Sequence, residues 1–118
     1  MSMCYISQES ATNLFNISYR EKLEALIGQK VRDLEALETQ TDWMRFSIRT
    51  LDDNNMVAQW YLVQFPGCCG LVISTAAYIG TNFRHKGVGT LMNQFRQSLA
   101  KAMGYGVLVC TDVTDNEA

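Results

Sequence analysis

Arg84-His85-Lys86-Gly87-Val88-Gly89 brings three basic side chains and two glycines together in one short stretch. It follows an apolar run, CCGLVISTAAYI over 68–79, and precedes an amphipathic run over 88–103. Holding a phosphate is the chemistry that suits such a junction. Where a strand feeds a helix, the first backbone N–H groups of the helix have no intrahelical partner, and the helix dipole adds roughly half a positive charge. Both effects stabilise an anion. Glycine removes the Cβ from the path of approach, and Arg84 and Lys86 add positive charge on long side chains. The competing reading of the same residues is an ordinary turn with solvated charges.

Three phosphate motifs compete at this junction. The dinucleotide fingerprint GxGxxG is met only in its first half, because Met92 stands in the third glycine position. The P-loop pattern GxxxxGK[ST], started at Gly80, fails twice. His85 stands where glycine is needed, and Gly87 where a hydroxyl must reach magnesium. The acidic end of VLVCTD, Asp112, does not rescue it, since hydrophobic strands ending in Asp are common. The third pattern, R/Q-x-x-G-x-G/A, is met at every position from Arg84 to Gly89.

The elements that must position this junction are readable from periodicity. MCYI (3–6) is a short first strand. Ser10 or Thr12 is the expected N-cap of a helical stretch. Leu14, Ile17, Leu23, Leu26 and Ile27 carry that stretch forward, and Gly28 fits a helix-ending C′ position or a break. Val31, Leu34 and Leu37 extend the helical stripe to about residue 39, giving two helices or one long helix bent near Gly28. In 43–51 the period becomes two, with Met44, Phe46 and Ile48 alternating with Arg45, Ser47 and Arg49. DDNN (52–55) is a hairpin connection, 56–65 a second strand of that hairpin, and Pro66-Gly67 a turn. The run 68–79 is apolar enough to be a central strand. Val88, Leu91, Met92, Phe95, Leu99 and Met103 then line one face of a helix, which Gly104 and Gly106 end. The last strand, 105–113, is expected to run parallel to 68–79, because the helix carries the chain back across the sheet. The predicted order is β-α-α-β-β-β-α-β, an α/β (α+β) fold with a mixed, mostly antiparallel sheet.

Composition narrows the function classes. At 118 residues the chain is a single domain, 1–118. A net charge of −2 disfavours a general nucleic-acid binder. No apolar run is long enough to span a bilayer, and MSMCYISQES has no secretory pattern. Cys4, Cys68, Cys69 and Cys110 form no CxxC pair and have one histidine to help them, so no metal site is expected. Reduced thiols and a cytoplasmic location follow as the expectation.

IGTNFRHKGVGTLM resembles the acyl-CoA-binding segment of the GNAT (GCN5-related N-acetyltransferase) superfamily, and the resemblance runs from residue 3 to the end of the chain. MCYISQESATNL is similar to that family's opening strand and helix. The strand–hairpin–strand–strand run is similar to its second to fourth strands. Asp115-Asn116-Glu117-Ala118 resembles the start of its next helix. The resemblance implies that acetyl-CoA (coenzyme A) is the cofactor. Its pantetheine arm would pair with the backbone of Tyr78 and Ile79 in a splay between the fourth and fifth strands. The backbone N–H near Ile79 would stabilise charge on the thioester oxygen. The pyrophosphate would lie across the amides of Arg84, His85, Lys86, Gly87, Val88, Gly89 and Thr90, with Arg84 and Lys86 reaching phosphates. Asn116 would be a further cofactor contact.

The implied reaction is direct attack of an amine, of a small molecule or peptide, on the acetyl thioester. It needs a base for the ammonium and benefits from an acid for the sulfur. Residues 56–79 contain no carboxylate, so the base is a backbone-held water, a carboxylate from elsewhere, or Asp112. The acceptor would meet the first two helices and the 52–55 hairpin, where Glu21, Glu24, Asp33 and Glu35 could attract an amine. The same residues also read as the solvated face of a helix. A GNAT-like fold usually continues with a further helix and two strands, which also supply the acid. A fragment, a natural short form, and a homodimer that covers the parallel edge along 107–113 are the three expectations for their lack here. A non-catalytic relative that binds CoA or a protein partner is the alternative function.

Overall fold

The computed structural model describes residues 6–40, 43–64, 71–104 and 107–110. Two helices, α1 (Gln8–Ser18) and α2 (Arg20–Ile27), come first. Strands β1 (Glu35–Gln40), β2 (Trp43–Arg49), β3 (Met56–Gln64) and β4 (Leu71–Ile79) follow. A 3-10 turn (Thr81–Phe83), α3 (Val88–Ala102) and β5 (Val107–Cys110) complete the described chain. The sheet is open, in the order β1-β2-β3-β4-β5. Its first three pairings are antiparallel and β4–β5 is parallel, so the fold is mixed α+β with a mostly antiparallel sheet. β4 is an interior strand, between β3 and β5, and β5 runs beside it in parallel, as the crossover helix requires.

The beginning of the chain departs from the sequence reading. The expected strand at 3–6 lies outside the described residues, except for Ile6, which is buried but belongs to no element. The N-cap of α1 is Ser7, not Ser10 or Thr12. Its side chain accepts from the Ser10 N–H at 3.1 Å. Ser7→Ala is expected to cost about 1 kcal/mol in denaturant unfolding, while Thr12→Ala leaves that cap intact.

The break between the helices is at Tyr19, not Gly28, and no helix runs over 31–39. Gly28 ends α2 in the left-handed region (φ 72°), as the helix-ending reading of this glycine expected, its N–H bonded to Glu24 O at 2.8 Å. The backbone beyond is held extended by side chains from the helices. Glu24 accepts from Val31 N–H at 2.9 Å, and Arg20 Nη1 donates to Val31 O at 2.6 Å. The Gln8 amide bonds both Leu34 O and Ala36 N–H, much as a strand neighbour would. Val31 also bridges Thr50. With these groups satisfied, residues 35–40 join the sheet as β1, and Leu37, expected on a helical stripe, is 40% exposed.

All three helices contribute to one core against the sheet. Phe95 of α3 is at its centre, 5.4 Å from the Phe15 ring of α1, 4.8 Å from Tyr19 and 5.8 Å from Trp60 of β3. Phe46 of β2 stacks on Trp60 at 5.6 Å. The expected α3 stripe is buried in full: Val88, Leu91, Met92, Phe95, Leu99 and Met103. Gly104, with φ 92°, follows the helix end; Gly106 and the Pro66-Gly67 turn lie outside the described residues.

Candidate functional site

Three elements converge at the end of β4. The first is the strand itself. β5 pairs with it from Leu71↔Val107 to Ser74↔Cys110, whereas β3 pairs with it as far as Ile79. Over Thr75–Ile79, among the described residues, β4 therefore has a strand on one side only. A bulge falls in the same place. Gln59 faces Tyr78 but Tyr61 faces Thr75, so β4 carries one residue more than β3 there. Bulges bend a strand and increase its local twist, which turns this end of β4 away from the flat ladder.

The direction of the Ile79 backbone follows from the register. Gly80 N–H donates to Val57 O at 2.9 Å, and Ile79 is opposite Ala58. Backbone groups in an antiparallel ladder alternate sides. The N–H and C=O of Ile79 thus point away from β3, to the side of β4 that is open among the described residues.

The second element is the turn from 80 to 87. Gly80 lies so close to β3 that a Cβ there would sit 2.0 Å from Met56 O. Its carbonyl accepts from Phe83 N–H at 2.9 Å, closing the 3-10 turn, and Phe83 is buried beneath it. His85 and Gly87 both have left-handed backbones, φ 64° and 88°. Thr81, Asn82, His85 and Lys86 are exposed. Gly87 approaches Leu26 of α2, whose methyls lie 3.8–3.9 Å from where a Cβ would be.

The third element is the start of α3. Gly87 is its N-cap and, having no side chain, makes no side-chain cap bond; there is no acidic residue in the first turn. Val88 has no exposed surface, whereas Thr90 is exposed and Gly89 half-buried. From Asn54 to Thr111 the chain carries Arg84, Lys86, Arg96 and Lys101 and no carboxylate. The junction is thus positive by composition as well as by the helix dipole.

Of the residues singled out from sequence, Tyr78, Ile79 and Arg84 to Thr90 are contiguous around this turn. Asn116 and Asp112 lie outside the described residues. Arg84 has a more definite place than its charge alone suggested. It folds back along β4, Nε donating to Ile79 O at 2.9 Å, with its guanidinium 5.5 Å from the centre of the Tyr78 ring. Gly80 and the Arg84–Ile79 bond were missed. A glycine at the end of an apolar strand was the available signal for the first; the second needs coordinates.

The four acidic candidates separate. Glu21 and Glu24 line a cleft of about 510 Å³ with Gly28, Lys30 and Asp52, so the hairpin contributes a carboxylate as well. Glu24 is already engaged by Val31 N–H and by Lys30 and Arg20, at 3.6 and 3.7 Å. Asp33 and Glu35 line a different groove with Arg32, Ser47, Arg49 and Asn54. Asp33 pairs with Arg20 at 2.8 Å and Glu35 with Arg45 at 3.9 Å. Among the described residues no cluster of His, Cys, Asp and Glu could hold a metal ion, and no helix is long and apolar enough to cross a membrane. Comparison of the chain with protein-family models, with curated proteins and with solved structures found no match.

Proposed function

We propose that the chain binds acetyl-CoA in a GNAT-like manner and transfers the acetyl group to an amine. One observation carries the reading. Among the described residues β4 runs five residues past its last pairing with β5, at Ser74, and the Ile79 backbone there points away from β3, toward the turn with left-handed His85 and Gly87 at the start of α3. An extended amide chain fits the first part, as an added strand would. A pyrophosphate fits the second, where backbone N–H groups and the dipole favour an anion. Lys86 and Thr90 are exposed beside it.

In the reaction the nitrogen lone pair of a neutral amine attacks the acetyl carbonyl. The C–N bond forms, the C–S bond breaks, and CoA leaves as thiolate. The ammonium proton goes to water or a base, and the thiolate takes a proton from solvent or an acid. The Ile79 N–H, on the open side of β4, is the group of this chain best directed to the carbonyl oxygen. The acidic cleft of Glu21, Glu24 and Asp52 would draw a cationic acceptor toward this end of α2. The second reading, a CoA-binding protein without turnover, is favoured by the carboxylate-free stretch from 54 to 111, which leaves β3 and β4 without an acid–base side chain of that kind.

Calorimetric titration of CoA and acetyl-CoA into the chain tests the binding. Micromolar affinity, about 8 kcal/mol, is expected. Gly89→Glu, which puts bulk and negative charge at the first turn of α3, weakens it more than tenfold, and Lys86→Glu, at an exposed position, weakens it less. No binding by the folded wild-type chain overturns the reading. Binding without acetylation of any member of a broad amine panel favours the non-catalytic alternative.

A further inference from the structure

Arg84 makes an unusual use of its charge. At a junction suited to anions, its Nε donates to a neutral backbone carbonyl, Ile79 O, at 2.9 Å, and its guanidinium lies against the Tyr78 ring. That carbonyl points away from β3, and among the described residues no strand pairs with it on that side. It is one of the two backbone groups an added strand or an amide chain would use. The side chain is half-buried, so the contact is partly shielded from water. Tyr78 is 41% exposed even with Arg84 beside it.

We propose that Arg84 is a specificity-determining latch, closed on Ile79 O and Tyr78 in the ligand-free chain and opened by ligands that join an amide arm to a phosphate. The inference rests on the CoA-binding reading above and deepens it. An amide chain pairing with the open side of β4 competes with Arg84 for Ile79 O. A ligand without phosphate displaces the guanidinium and offers no replacement. A ligand with a pyrophosphate close by gives it a charged partner, and a planar guanidinium bonds phosphate oxygens in pairs. Arg84 therefore penalises the bare arm and not the whole cofactor.

The test compares CoA with pantetheine, which has the arm and no phosphate, on the wild-type chain and on Arg84→Met. Methionine keeps an unbranched apolar stem and removes the donor and the charge. NMR titration reads weak binding as well as strong. One hydrogen bond to a charged group is at stake, so pantetheine should bind Arg84→Met about tenfold more tightly than wild type. CoA binding should weaken, so that the preference for CoA collapses. Arg84→Lys, which keeps the charge without the planar fork, should retain more CoA affinity than Arg84→Met. The Arg84 Nε–H resonance reads the latch in the wild-type chain itself, and should shift when CoA is added. An unchanged preference for CoA over pantetheine in Arg84→Met, or an Nε–H resonance unmoved by bound CoA, overturns the latch and leaves the site standing. If wild type binds no CoA, the site and the latch fall together.

Discussion

Gly80→Ala is expected to destabilise the chain by about 3 kcal/mol or more, at the upper end of what overpacking costs, while Gly28→Ala costs only about 1 kcal/mol. The same added methyl meets two different obstacles. At Gly28 there is nothing within 4 Å, and the cost is the left-handed backbone, φ 72°, alone. At Gly80 the backbone angles, φ −56° and ψ 143°, suit any residue. The obstacle is Met56 O at 2.0 Å, with Phe83 Cδ2 at 3.0 Å. A carbonyl in the β3 backbone cannot swing aside as a side-chain tip can. Either the Gly80–Val57 hydrogen bond breaks or the turn moves away from β3. If the turn moves, the amides from Arg84 to Thr90 move with it, and the CoA binding proposed above should weaken in the fraction that stays folded. Chemical denaturation of both variants is the check. Equal costs would mean that the close approach of the turn to β3 does not exist in solution.

Phe95→Ala is expected to cost about 3–5 kcal/mol and to lower the melting temperature by roughly 15 °C. Phe95 has no exposed surface and meets Phe15, Tyr19 and Trp60 together. Its removal leaves a cavity where α1, α3 and β3 come together. None of its ring neighbours can fill that space without leaving its own contacts. Tyr19 gives the site a second attachment, because its hydroxyl lies 2.5 Å from Ser98 Oγ on α3. Phe95→Leu, which keeps most of the volume, should cost far less. A cost below about 1.5 kcal/mol for the alanine variant would show that the three elements are not packed on this ring.

These two positions differ in how far sequence alone exposes them. Phe95 belongs to a stripe whose period names its helix and its buried face, and all of that stripe is inside. Gly80 is one glycine among several, and its neighbour across the sheet, Met56, is far from it in the chain. The helical reading of 31–39 failed for a related reason. Val31 and Leu34, at a spacing of three, are both buried, as a helix would have them. The decision against helix came from Gln8, Arg20 and Glu24, which supply hydrogen-bond partners to the extended backbone from earlier helices. Local period carries no record of such partners.

The sequence by itself determined the local and periodic features: the β2–β3 hairpin, the apolar interior strand β4, the amphipathic α3, and the parallel β4–β5 pair that a crossover helix demands. It also placed glycine, basic charge and a helix start together within a few residues. Tertiary structure alone decided that residues 35–40 are a strand, that β4 carries one residue more than β3 between Thr75 and Tyr78, and that Arg84 turns back onto Ile79 O. The physical reason is common to all three. Backbone groups must find partners, and when those partners lie on another element, three-dimensional packing chooses among conformations that the local sequence leaves nearly equal in energy.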